Sequence, residues 1–370
     1  MHDITRIRGL LLGHAQDEEA LTGCTVVLAP GGAVAGVDVR GSAPGTRETD
    51  LMRPCNQVER IQGVVLSGGS AYGLDAASGV MKFLEEEGAG FPTPFGIVPI
   101  VGAAVIFDLG IGDPKVRPDA AMGYAACRAA HSGSQGEGNI GAGAGATVGK
   151  TSGPEYAMKG GLGSYVVELQ ADPGGKAEPV LVGALVVVNS LGDVIDPWSG
   201  QIVAGAYDRN RKAFIGPGSD ANHMNTRRIA GGLGANTTVA VVATDAVLDK
   251  EGANKVAQMA QDGLARAIIP AHTMYDGDTV FCLSTAEKRL SGDRASDVTA
   301  IGSLAAQALA AAVVRAARAA SSVPGCPAAS EMRTQQGSGI HESGRQESSS
   351  DRAGQEHGSR VREGNGPTCR

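Results

Sequence analysis

The sequence predicts a layered α/β fold, and three observations carry that expectation. A chain of 370 residues with 42% apolar and 19% charged residues can bury a substantial core. Short β-branched runs are interspersed with segments whose apolar residues recur at three- and four-residue spacing. Several of the runs are continuously apolar rather than alternating, as in sheets buried on both faces. This pattern fits a four-layer αββα sandwich and a doubly wound α/β domain equally.

Taken in order, strands are expected at residues 25–28, 63–66, 103–107, 165–169, 182–188, 237–244 and 279–283. Helices are expected at 72–87, 119–130, 250–267 and 295–319. The first ends in Glu85-Glu86-Glu87-Gly88, where glycine supplies a stop. The 55 glycines point to many tight turns, and no repeat of solenoid period is present. The apolar run 304–320 is interrupted by Gln307, Arg315 and Arg318 and is too short for a bilayer span, so it reads as a buried helix and no membrane partner is expected.

Composition breaks at Ser321-Ser322-Val323-Pro324-Gly325, and residues 324–370 carry no aromatic residue and few aliphatics. A disordered tail is expected there, after a single catalytic domain at 1–323. A net charge of −7 without Lys/Arg clusters argues against a nucleic-acid partner. The first residues lack a signal-peptide core, and Cys24, Cys55, Cys127, Cys282, Cys326 and Cys369 are scattered. Reduced thiols and a cytoplasmic protein are expected. None of the seven histidines has metal-ligand spacing, so no metal is expected.

Gly234-Ala235-Asn236-Thr237-Thr238-Val239 places a glycine turn and an Asn-Thr bond before an apolar strand. A chain can cut itself there. Attack of Thr237 Oγ on the Asn236 carbonyl carbon converts the amide to an ester, and water then frees an amino terminus at Thr237. A free α-amine, with an unperturbed pKa of about 7.7–8, can serve as base for its own hydroxyl. Read by itself, the tripeptide is also an ordinary turn entering a strand.

Other segments have two readings as well. Gly143-Ala144-Gly145-Ala146-Thr147-Val148-Gly149-Lys150-Thr151 is a relaxed phosphate-loop pattern, but Thr151-Ser152-Gly153-Pro154 is a turn where a helix should start. Asn189 ends an apolar strand and reads as a turn cap. Asp276 and Asp278, before a strand, are turn residues or a carboxylate pair able to bind an amine. The Ser67-Gly68-Gly69-Ser70 loop could bind a substrate carboxylate through its N–H groups, or simply join strand to helix.

Several of these segments belong to a longer ordered set: Gly13-His14-Ala15-Gln16-Asp17 with Thr22-Gly23-Cys24-Thr25-Val26, Arg40 through Asp50, Ser67 through Leu74, Asn236-Thr237-Thr238, and Asp276-Gly277-Asp278-Thr279. Running from about residue 4 to about residue 320, the chain resembles the family of self-processing L-aminopeptidase/D-esterases, which also contains β-aminopeptidases and nylon-oligomer endohydrolases. The resemblance implies the αββα sandwich, cleavage between Asn236 and Thr237, and hydrolysis of a small peptide or oligoamide through a Thr237 acyl-enzyme. It implies no cofactor, and a homo-oligomer such as a tetramer of processed pairs.

By the same resemblance, Lys150 matches a lysine beside the nucleophile and Asn189 an amide donor to the oxyanion. Asp276 and Asp278 would lie beside the new Thr237 amine. Other branches carry serine and glutamate there, so the aspartates resemble the oligoamide hydrolases. Phe107 stands where some members have a tyrosine whose hydroxyl contacts the reacting amide, and it counts among the substrate-binding candidates; the alternative that its apolar neighbours suggest is core packing. Two other function classes are a nucleotide-binding protein using the Lys150 loop and an uncleaved, catalytically silent relative.

Overall fold

The computed structural model describes residues 3–170, 178–216, 236–290 and 292–332. The principal strands are β1 (Leu11–Asp17), β2 (Thr22–Val39), β3 (Thr46–Arg47), β4 (Arg60–Ser67), β5 (Val101–Val105), β6 (Gly161–Leu169), β7 (Val180–Asn189), β8 (Thr237–Ala246) and β9 (Thr279–Lys288). The α-helices are α1 (Ala76–Glu86), α2 (Ala120–Arg128), α3 (Lys250–Ala267) and α4 (Arg294–Ala319).

Strand β2 belongs to two sheets at once. Its first half pairs with β1 and β4, and Val34–Val39 pairs with β9. Between the halves, Pro30-Gly31-Gly32 breaks the register with β4 between Leu28 and Ala33. Gly32 has φ +77°, a conformation that a side chain disfavours, so glycine permits the bend. The hydrogen-bonded ladder β6-β7-β8-β9-β2-β4-β5-β3 is thereby continuous and yet folds into two stacked layers.

Three apolar clusters define the layers. Alternate residues of the first sheet (Val182, Ala184, Val186, Ala240, Val242, Val280) pack on Val256, Ala260 and Leu264 of α3 and Ile301, Leu309 and Val313 of α4. Their neighbours of opposite parity (Leu185, Val187, Val239, Val241, Phe281, Leu283) meet Val27, Val64, Leu66 and Ala104 of the second sheet. The outer face of that sheet (Val26, Leu28, Val65, Ala103) packs on Ala76, Val80 and Leu84 of α1 and Ala126 of α2. This is the four-layer αββα arrangement, with both sheets covered on both faces as their continuous apolar runs require.

The expected strands and helices are all present, and the differences have local causes. Asp119, Asp249 and Asp293 cap α2, α3 and α4 by accepting from Met122, Gly252 and Ser296 N–H. The first helix begins at Ala76, because Ser70–Asp75 is a 3₁₀ turn tied to the sheet through Ser70 N–H and Ile106 O. Strand β1 escaped prediction because its polar residues His14, Gln16 and Asp17 mask the pattern. Helix α4 is long and apolar enough to pass a membrane-span test, but most of that stretch is buried in the core.

The tail expected from Pro324 begins too early. Val323 and Cys326 form a reciprocally hydrogen-bonded turn, Lys159 N–H donates to Pro327 O, and Ala328 and Ala329 are buried. Alanine and proline pack without the aliphatic bulk that composition measures. Residues 333–370 lie outside the described residues. Truncation after Val323 should lower stability relative to truncation after Met332 by about 1–3 kcal/mol, the scale of lost small-residue burial and a few hydrogen bonds. Urea unfolding of both truncated chains checks this; equal midpoints would refute it.

Candidate active site

Strand order brings the sequence-predicted residues to one end of the first sheet. In the antiparallel β7–β8 ladder, Asn189 at the end of β7 lies opposite Thr237 at the start of β8. Strand β9 runs parallel to β8, with Thr279 beside Val239, so the turn entering β9 reaches the same end. Asn236 forms an isolated parallel bridge with Asp276.

The Asn236 carbonyl oxygen receives two donors. Thr237 Oγ1 donates to it at 2.5 Å and Gly277 N–H at 3.1 Å. Asn236 and Thr237 are only 2% and 3% exposed. A Cβ on Gly277 would stand 2.8 Å from Thr237 Oγ1, so the turn approaches the threonine as closely as it does because no side chain intervenes. This geometry polarises one buried amide and sets a hydroxyl against it.

Both aspartates are held by donors. Asp278 Oδ1 accepts from Thr238 N–H at 2.7 Å, and its Oδ2 from His272 N–H at 3.0 Å and the His272 ring at 2.9 Å. Asp276 Oδ2 accepts from the Thr273 N–H and hydroxyl at 2.9 and 2.5 Å, and Oδ1 from Leu191 N–H at 3.5 Å. Burial, reinforced by Asp278, pushes the Asp276 carboxyl above the usual range. Burial opposes charge on His272, but the Asp278 carboxylate outweighs it and raises the imidazole above its ordinary value. The 40–43 loop is laced to this turn, with Arg40 and Gly41 N–H donating to Asp278 O and Ala43 N–H to Asp276 O.

Lys150 and Asn189 meet directly. Lys150 Nζ donates to Asn189 Oδ1 at 3.1 Å, where Thr147 N–H also donates at 3.0 Å, and Asn189 Nδ2 donates to Phe107 O at 3.0 Å. Burial pushes the Lys150 ammonium down to about 7, against the pull of Asp276. The phosphate-loop reading of Lys150 is overturned. Gly153 N–H closes a turn onto Lys150 O, and only the three-residue 3₁₀ turn Pro154–Tyr156 follows, so no helix amino terminus faces a phosphate.

Phe107 leaves β5 rather than packing in the core; half-buried, it lines a cavity of about 320 Å³ together with Asp108, Thr147 and Lys150. Ser67, Gly68 and Gly69 do not line it. Gly68 N–H is taken by Gly23 O and Gly69 N–H by Asp108 Oδ1, while Ser67 is fully buried, so this loop is a connection rather than an anion cradle. Sequence reasoning missed His272, Thr273, Thr147 and the Gly277 N–H. His272 adopts φ +57°, which turns both its N–H and its ring toward Asp278, and nothing in the local sequence signals that conformation.

The profile of "Peptidase family S58" matches residues 2–330. An uncharacterised aminopeptidase of Mycobacterium leprae is 43% identical over 357 residues, covering 88% of this chain and 93% of the relative. A 6-aminohexanoate-oligomer endohydrolase of Kocuria sp. is 31% identical, covering 84% of each chain. Among solved structures, the L-aminopeptidase D-Ala-esterase/amidase from Ochrobactrum anthropi, described as a variant of the Ntn hydrolase fold, aligns with TM-score 0.66 at 20% identity over 91% of this chain and 94% of that one.

The Lys150 environment has a pH signature. Between about 7 and the ordinary 10.5, the folded chain binds fewer protons at this side chain than the unfolded chain does. Stability therefore rises with pH through that window, and the full cost of the buried ammonium is present below about 7. Lys150→Met should flatten this rise in urea midpoints measured from neutral pH upward; an unchanged slope would show that the lysine keeps its ordinary pKa.

Proposed function

Because the chain belongs to peptidase family S58, we propose that it cuts itself between Asn236 and Thr237 and then hydrolyses amide bonds with Thr237 as an amino-terminal nucleophile. A hydrolase of aminopeptidase or amidase type follows from the family itself. The finer reading rests on one observation, the Asn236 carbonyl held between Thr237 Oγ1 and Gly277 N–H.

In maturation, Thr237 Oγ bonds to the Asn236 carbonyl carbon, and Gly277 N–H stabilises the developing oxyanion. The hydroxyl proton passes to the departing Thr237 nitrogen as the C–N bond breaks. The product is an Asn236 ester on Thr237 Oγ, which water hydrolyses to an Asn236 carboxylate and a free Thr237 amine. In turnover that amine takes the hydroxyl proton while Oγ attacks the substrate carbonyl, then returns it to the leaving amine. Lys150 and Asn189, joined to each other opposite Thr237, supply positive charge and polar groups near the developing alkoxide.

The aspartates favour an organising role. Their oxygens are occupied by Thr238, His272, Thr273 and Leu191, which suits fixing the β8 start and the nascent amine rather than capturing a substrate ammonium. This supports an oligoamide or peptide amidase. The competing reading, suggested by the aminopeptidase name of the mycobacterial relatives, is that one carboxylate binds the free amine of the substrate.

Amino-terminal sequencing of the smaller fragment should read Thr-Thr-Val-Ala-Val-Val, and Thr237→Ala should remain one chain without activity. Cleavage at another bond, or in the alanine variant, would sink the mechanism. Asp278→Asn should slow maturation and reduce kcat by roughly tenfold or more on both an amino-acid p-nitroanilide and an N-blocked oligoamide. An intact kcat with a KM defect confined to the free-amine substrate would establish the aminopeptidase reading instead.

A further inference from the structure

A chain of hydrogen bonds runs from the His272 ring to the residue that follows Thr237. Thr238 N–H donates to Asp278 Oδ1 at 2.7 Å, and Asp278 Oδ2 accepts from the His272 main-chain N–H at 3.0 Å and from the ring Nδ1 at 2.9 Å. The ring must donate here, because an unprotonated Nδ1 would set its lone pair against the carboxylate. The regular β8–β9 ladder begins only with Val239 and Thr279. One step earlier, on the β9 side, the Thr238 main chain is held by a side chain instead. Where Thr238 sits then depends on how Asp278 is held, and Asp278 is held by His272.

The backbone at His272 serves this contact. Its φ of +57° lies in the left-handed region, which a side chain disfavours, and it brings N–H and ring onto one oxygen. Ring Nε2 is buried and has no hydrogen-bond partner among the described residues. Burial opposes charge on the imidazole, the Asp278 carboxylate of the same turn and the Gln261 main chain of α3 favour it, and Arg40 of the loop after β2 opposes it. Arg40 is itself paired with Asp38 at 3.0 Å, which offsets part of its field. Among Thr237, Thr238, Asp278 and His272, only the histidine is not fully buried. Solvent protons reach the chain through it.

We propose that His272 is a positioning residue for the nucleophile: its imidazolium holds Asp278 so that Oδ1 keeps Thr238 N–H, and with it Thr237 Oγ1, aligned on the reacting carbonyl. This deepens the Thr237 reading and rests on it for the chemistry, whereas the link from His272 to Thr238 is a property of the folded chain that can be read without cleavage. The sign of the pH dependence follows from the raised imidazole pKa. The charged contact is complete below about the ordinary 6.5 and is lost as the pH rises through the raised value. Maturation rate and kcat should therefore carry an alkaline decline that belongs to residue 272. Lys150, lowered to about 7, titrates nearby, so variants at position 272 make the assignment.

Two variants keep the left-handed backbone and differ in what they remove. His272→Gly deletes the ring, and His272→Asn leaves a short neutral donor. In His272→Gly, maturation rate and kcat should fall by roughly tenfold or more, with KM changed by less than about twofold, on both an amino-acid p-nitroanilide and an N-blocked oligoamide. His272→Asn should recover part of both rates and lack the alkaline decline of the unmodified chain. Unchanged rates in His272→Gly, a defect in KM alone, or the same alkaline decline in His272→Asn overturns the proposal. Nuclear magnetic resonance of the Thr237→Ala chain, isotopically labelled at histidine rings and threonine amides, reads the link without turnover and without either variant. The His272 ring should titrate above 6.5, and the Thr238 amide shift should move with the same midpoint. A Thr238 shift that ignores the ring refutes the positioning role even where Thr237 proves to be the nucleophile. A shift that follows the ring supports it even if the unmodified chain never cleaves.

Discussion

The register of three strands is the constraint on which the site depends. Asn189, Thr237 and the Asp276–Asp278 turn are far apart in the chain, and they meet because β7 ends where β8 begins and β9 runs parallel to β8. A one-residue slip in either pairing would exchange the helix-facing and sheet-facing residues of β8, moving Val239 and Val241 out of the intersheet core. Packing on both faces therefore fixes the chemistry at the strand end. The bent strand β2 extends this control, since its second half pairs with β9 and its first half carries the second sheet.

The same rigidity explains how polar groups can be concentrated in a buried place. The Asp276 and Asp278 oxygens are met by main-chain and side-chain donors, and the Arg40–Ala43 loop is bonded to the backbone of the same turn. A buried carboxylate pair with unsatisfied oxygens would be costly; this one is held by its surroundings. Lys150 donates to Asn189, and burial lowers its ammonium to about 7.

The cavity shows how elements without regular structure enclose a space. Its walls come from the loop after β5, the segment around Pro154, Arg209 and the turn after α4. Arg209 joins two of these by donating to Ala157 and Gly325 carbonyls. The segment beyond α4 is consequently part of the domain through Met332, although its composition resembles a linker.

The sequence by itself determined the layered α/β class and the expected strands and helices, because apolar periodicity is a local property, while Thr237, Lys150, Asn189, Asp276 and Asp278 became site candidates through the resemblance. The choice of αββα over a doubly wound sheet needed the resemblance, since a two-faced apolar strand looks the same in either. Only the tertiary structure decided that β2 bends through both sheets, that Ser67-Gly68-Gly69 spends its N–H groups internally, and that Lys150 meets Asn189 on a loop followed by only a short 3₁₀ turn. It also supplied His272, Thr273 and the Gly277 N–H. Their roles are set by which partner occupies a hydrogen-bonding direction, and that depends on residues tens of positions away in the chain.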